Sequence, residues 1–237
     1  MLFLIALVVA VIFAATASKA LRKAPLPFYI AAALLSAGAV VASRLDVESE
    51  FLMKWVFPLF TKGAMAAGFW AIVMWAGALP REGRITKRLL SVRGELSIIA
   101  AVLTASHAVL RGILYLRQLL RPKFSPDAVF AATCAIVLML LVIMLPLTVL
   151  SFRRVRRKMA PDRWKRIQRF AYGFYGLIYA HVLVLYLPPA LRGLRSYALT
   201  VAVYTDVWLA YLICRLLKRG KARRGTDGEA KKIRESQ

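Results

Sequence analysis

Histidine is nearly absent from this chain: His107 and His181 are the only two in 237 residues. Cysteine is as scarce. Cys134 and Cys214 both lie inside apolar runs, with no C-x-x-C or Cys/His cluster of the kind that holds zinc or an iron–sulfur centre. Each cysteine reads as a small buried hydrophobe. There is no Gly-rich phosphate loop and no segment long enough for a nucleotide-binding domain, so a redox role would need its donor and acceptor on other molecules. Acidic residues are few too, 11 against 35 Lys and Arg, which leaves a net charge of +24. In a soluble protein that excess would point to nucleic acid. Here the charges fall in short stretches between apolar runs, which excludes nucleic acid and suits topology signals and contacts with anionic membrane lipid.

What is abundant is apolar: 60% of the residues are hydrophobic. A hydrocarbon layer ~30 Å thick needs roughly 20 apolar helical residues to cross it. Segments 2–18, 26–43, 56–79, 94–116, 127–150, 168–188 and 195–216 qualify, which predicts an all-α integral membrane protein with a bundle of about seven transmembrane helices. The prolines respect this division. Pro25, Pro27, Pro80, Pro122, Pro126, Pro161, Pro188 and Pro189 fall between or at the ends of segments, Pro58 suits a first turn, and Pro146 predicts a kink or an early end. Segment 2–18 has its positive residues after the apolar run, the reverse of a signal peptide, and is expected to stay as a first helix.

Sorting the cations by alternate connections sets the orientation. Of the 35 Lys and Arg residues, 26 lie in 18–25, 80–93, 151–169 and 215–237, against 7 in 44–54, 117–126 and 189–196. The richer set is cytoplasmic by the positive-inside rule, so the N-terminus is expected outside and the C-terminus inside. Asp46, Glu48 and Glu50 in the first outer loop are compatible. Residues 218–237 lack an apolar stripe and read as a disordered, basic cytoplasmic tail.

His107 and His181 then fall on two parallel helices, each thirteen residues from its cytoplasmic start at Gly94 and Gln168. At 1.5 Å per residue both sit ~20 Å from the inner edge, at one depth. Two opposed imidazoles at one level can supply both axial ligands of a haem iron. Ala100, Ala101, Thr104, Ala105, Ser106, Ala108 and Gly112 around His107, with Gly173, Gly176 and Ala180 before His181, would leave room for a flat macrocycle. Close helix packing with both histidines in polar interhelical contacts fits the same residues. Arg111, one turn beyond His107, is placed for a haem propionate or for snorkelling to headgroups. The cluster Arg153, Arg154, Arg156, Arg157, Lys158, Arg163, Lys165 and Arg166 suits topology and lipid, or the docking of an acidic redox partner. Trp55, Trp70, Trp75, Trp164 and Trp208 read as interface anchors, and Tyr172, Tyr175 and Tyr179 as packing.

Two stretches carry a resemblance. Arg88 to Arg111, RLLSVRGELSIIAAVLTASHAVLR, is similar to the first haem helix of the ferric reductase-like transmembrane family. LPLTVLSFRRVRRKM followed by WKRIQRFAYGFYGLIYAH, ending at His181, resembles that family's loop and next haem helix. The closest branch is the MsrQ (YedZ) haem-binding subunit of the methionine sulfoxide reductase system, and the resemblance covers roughly residues 55–188. It implies a b-type haem carrying electrons across the membrane, with His107 and His181 at the axial positions. MsrQ proteins usually carry histidine where this chain has Gln168, and the matching point on the earlier helix is Gly94, so a second, inner haem is not expected.

The expected organisation is therefore two helices in 1–54, a ferric reductase-like haem-binding core in 55–188, a last helix in 189–217 and the tail. The expected protein is a multi-pass component of a bacterial cytoplasmic membrane with one haem b, ligated by His107 and His181 with Arg111 alongside. It would pass electrons from a separate flavin reductase or quinol to an outer-face acceptor, a methionine sulfoxide reductase or ferric iron, with no dehydrogenase domain of its own. The competing expectation is a non-redox transporter or assembly factor, for which Asp206 and Glu95 are the only acidic candidates within helices.

Overall fold

A backbone in hydrocarbon must satisfy its own hydrogen bonds, which makes the helix the natural form of these apolar runs. The computed structural model describes residues 2–45, 49–80 and 82–235, with side chains to residue 220, and is helical throughout its regular structure. Asp46 and Glu48 of the expected outer loop, and Arg81 of the second basic stretch, lie outside the described residues. In chain order come α1 (Leu2–Lys23), α2 (Leu26–Ala42), a π-helical turn (Leu52–Val56) running into α3 (Phe57–Thr61), α4 (Ala64–Ala78) and α5 (Arg84–Ser91). Then follow α6 (Arg93–Leu119), α7 (Ala128–Val149), α8 (Arg153–Arg157), α9 (Pro161–Gln168), α10 (Phe170–Leu191) and α11 (Arg195–Glu235).

Five stretches among the described residues are long and apolar enough to span a membrane: α1, α6, α7, Pro161–Leu191 and Arg195–Gly220. A sixth is present if the bent pair Leu52–Thr61 and Ala64–Ala78 is counted as one span. The remaining expected span, 26–43, forms α2, which at 17 residues is shorter than the others. By length and hydropathy, five to six such spans make up an all-α bundle of membrane-protein character.

Two elements depart from the expectation. Segment 56–79 is not one helix: it breaks after Thr61 and resumes at Ala64 with a 51° change of direction. Gly63 at the break has φ of 72°, a left-handed conformation in which a helix cannot continue. The chain after 218 also does not leave the helix, since α11 runs on to Glu235. Lys, Arg, Ala and Glu are good helix formers, and extending a helix already nucleated by the preceding span needs no new nucleus. Prolines behave as expected: α7 ends one turn after Pro146, and Pro25 sits at the start of α2. Asp127 caps α7 by accepting the Phe130 N–H at 2.7 Å.

The core is centred on α4, which packs on α1, α6, α10 and α11. Ala6, Ala10 and Ala14 form a buried small-residue stripe on α1. A Cβ at Gly68 would lie 2.8 Å from the Ala6 backbone, so the absence of a side chain lets the two helices touch. One end of the bundle gathers the cations. Arg93 Nε donates to Val73 O at 3.1 Å, Arg215 to Gly77 O at 2.9 Å, and Lys218 to Gly77 O and Leu79 O at 2.8 and 2.6 Å. Three cations thus cover the carbonyl end of α4, where the helix dipole favours them. Arg153 closes the same end, pairing with Glu95 at 2.6 Å and donating to Arg22 O at 2.8 Å.

Candidate functional site

His107 and His181 come together. Their ring centroids are 6.5 Å apart with the planes at 75°, and both residues are half-buried. The helices that carry them are not close-packed partners. Each packs against α4 and α7, and α6 and α10 make little direct backbone contact with one another. The rings therefore approach without the backbones doing so.

The two imidazoles differ in their surroundings. His107 Nδ1 lies 2.9 Å from the Thr61 carbonyl, at the end of α3, which assigns it as the N–H donor. His181 Nδ1 is buried and has no hydrogen-bond partner among the described residues. Neither Nε2 is engaged in a hydrogen bond there, so each ring keeps one nitrogen available.

The small residues around the pair divide into two groups. Ala100, Ala101 and Ser106 are buried in helix packing. Gly112, Gly173 and Gly176 have open space where a Cβ would stand, with nothing within 4 Å. Arg111 is exposed and makes no hydrogen bond or ion pair among the described residues. Beneath the pair lies Trp70, which is buried rather than at an interface: its Nε1 donates to Thr104 Oγ1 at 3.1 Å and its ring meets Phe174 edge-on at 4.7 Å. Trp70 thereby ties α4 to both histidine helices. Trp208 is likewise no simple interface anchor, since it stacks on Tyr179 at 4.9 Å. That stacking, with the Tyr179 hydroxyl bonded to Thr205 at 2.8 Å, gives Tyr179 the packing role expected of it. A small aromatic cavity lined by Phe3, Tyr175, Tyr204 and Trp208 contains neither histidine.

At the level of Gly94 the arrangement is different. A Cβ there would lie 3.0 Å from the Ser151 carbonyl, and Ser97 donates to Ser151 Oγ at 2.8 Å. The turn after α7 fills this region. Among the described residues no group of three or more His, Cys, Asp or Glu converges, which is what a metal held by protein side chains alone would require.

The chain is similar to an uncharacterized protein of Treponema pallidum (strain Nichols), 31% identical over 223 residues. The match covers 94% of this chain but spans only 62% of the relative's length. No protein-family model matches the chain, and no solved structure matches it.

Thr61 and Gly63 are site residues that the sequence did not single out, and Trp70 was expected at an interface instead. Trp70 lay within an apolar run and resembled any other membrane tryptophan. Gly63 stands in a segment that also holds Gly68 and Gly77, so composition alone does not mark where the helix breaks.

Proposed function

We propose that this chain is a single-haem b electron-transfer protein of the bacterial cytoplasmic membrane, with His107 and His181 as the axial ligands. The observation that carries the reading is the 6.5 Å separation of the two imidazoles, brought together from α6 and α10. With their centres 6.5 Å apart, His107 and His181 would hold a haem iron, each giving one ring nitrogen. A two-imidazole donor set also suits a metal that brings its own equatorial ligands.

Haem ligated on both sides by nitrogen supplies one-electron transfer rather than oxygen chemistry. The protein's part is to hold and orient. Thr61 fixes the His107 tautomer, α4 and α7 keep the two ligand helices apart, and Trp70 closes the space below. Arg111, exposed one turn beyond His107, would neutralise a propionate. The packing of Ser151 against Gly94 supports one haem rather than two. With about seven spans, N-terminus out and C-terminus in, the site lies nearer the outer face, toward an acceptor protein or ferric iron there. A methionine sulfoxide reductase is the favoured acceptor, and the donor is a flavin reductase or a quinol.

A non-redox transporter is the competing reading, and the bent α3–α4 span is the observation in its favour. Its acidic candidates weaken it. Glu95 is locked to Arg153 and Asp206 is exposed on the outside of α11, away from any path through the bundle.

An absorption spectrum of the purified protein, oxidised and then reduced with dithionite, separates the two. Sharp reduced α and β bands, one iron per chain, and their loss in both His107→Ala and His181→Ala are expected. A colourless, folded protein from haem-sufficient cells would refute the haem reading, and two irons per chain would refute the single site.

A further inference from the structure

We propose that the break between α3 and α4 is a positioning device for His107, and that Gly63 keeps it open. In a continuous helix the Thr61 carbonyl would accept the N–H of the residue four positions on. Here Lys62 N–H still makes the α-helical bond to Pro58 O at 3.1 Å, and the turn tightens at Gly63, whose N–H reaches Phe60 O at 3.0 Å. The Thr61 carbonyl is left for His107 Nδ1, forty-six residues away in sequence, at 2.9 Å.

Two separate features require glycine at 63. Its φ of 72° is one that L side chains rarely adopt. Its missing side chain is also the surface on which the imidazole rests: a Cβ would stand 3.0 Å from His107 Cγ and 3.2 Å from both Cδ2 and Nδ1. Any side chain at 63 therefore forces the ring to give by a few tenths of an ångström, which loosens its hold on the Thr61 carbonyl. With Nδ1 held as the donor, the lone pair of His107 is confined to Nε2, the nitrogen available toward His181. Donation from Nδ1–H also makes Nε2 a stronger base, which favours the more oxidised state of a metal bound to it. His181 has no such partner, so the two ligands are inequivalent.

The effect on iron rests on the haem reading above; the fixed tautomer rests on the geometry alone, and one experiment separates them. With only two histidines, the full chain labelled with ¹⁵N-histidine gives a spectrum that His181→Ala assigns. It is recorded without haem and in the dithionite-reduced, diamagnetic state. The wild type is expected to show His107 protonated at Nδ1 with slowed exchange, and Gly63→Ala and Gly63→Asn to lose that protection. Asn tolerates the left-handed backbone but carries a Cβ, so its loss isolates the contact with the ring; Thr61→Ala keeps the carbonyl and should match the wild type. In haem-loaded Gly63→Ala the reduction potential should rise, by a tenfold change in the reduced-to-oxidised ratio at fixed potential, which is about 59 mV for one electron. A wild-type His107 protonated at Nε2, or a Gly63→Ala chain with unchanged exchange and unchanged potential, overturns the proposal even where the other variants fail to fold. A wild type that binds no haem yet shows the protected Nδ1–H refutes the haem reading and leaves the positioning role standing.

Discussion

A guanidinium without a partner in a membrane helix is a residue looking for an anion. Arg111 is such a group, exposed and one turn beyond His107. If it faces a propionate, its charge favours the reduced iron, because reduction removes a positive charge nearby. Arg111→Gln should then lower the reduction potential by on the order of 1 kcal/mol, roughly 40 mV for one electron, with the absorption bands retained. Redox titration with optical detection measures it, and an unchanged potential would return Arg111 to simple snorkelling. His107, His181 and Arg111 were legible in the sequence because polar side chains are expensive in an apolar run and so stand out. Thr61 was not, because its contribution is a backbone carbonyl, freed by a break in a helix distant in sequence. Trp70 was misread for a related reason: the same indole serves at a lipid interface or inside a core, and only its neighbours tell which.

Between elements, the ion pair of Glu95 with Arg153 carries the most weight. Glu95 is 3% exposed, and Arg153 joins it to the carbonyl end of α1 through Arg22. Removing one partner strands a buried charge, while removing both need not. Arg153→Ala should therefore lower stability by about 2–4 kcal/mol, the partial exposure of Arg153 placing it toward the low end, and Glu95→Gln added to it should recover most of the loss. Thermal unfolding in detergent checks both, and a double variant no better than the single would show that the pair does not act as a unit. The other element-level lesson lies in segment 56–79. Its hydropathy is continuous across Lys62 and Gly63, so periodicity had no signal for the 51° bend. The bend brings Thr61 and Gly63 against His107, a contact distant in sequence that no local rule encodes.

For the whole molecule, charge is the organising signal. Arg22, Arg93, Arg153, Arg215 and Lys218, from four basic stretches far apart in sequence, converge on one end of the bundle. Cysteines placed singly at Lys158 and Arg121, in a background with Cys134 and Cys214 replaced, should label from opposite sides of the membrane, Lys158 from the cytoplasm. Labelling of both from one side would overturn the orientation. The helical class, most segment boundaries and the common end of the cations followed from sequence alone, because hydrocarbon leaves an apolar backbone few choices and charges cannot follow it in. The distance between two histidines separated by 74 positions, the carbonyl that orients one of them and the packing of both their helices on α4 and α7 were decided only by tertiary structure. Depth along a helix can be counted in residues, but which faces of two helices look at each other depends on every neighbour wedged between them.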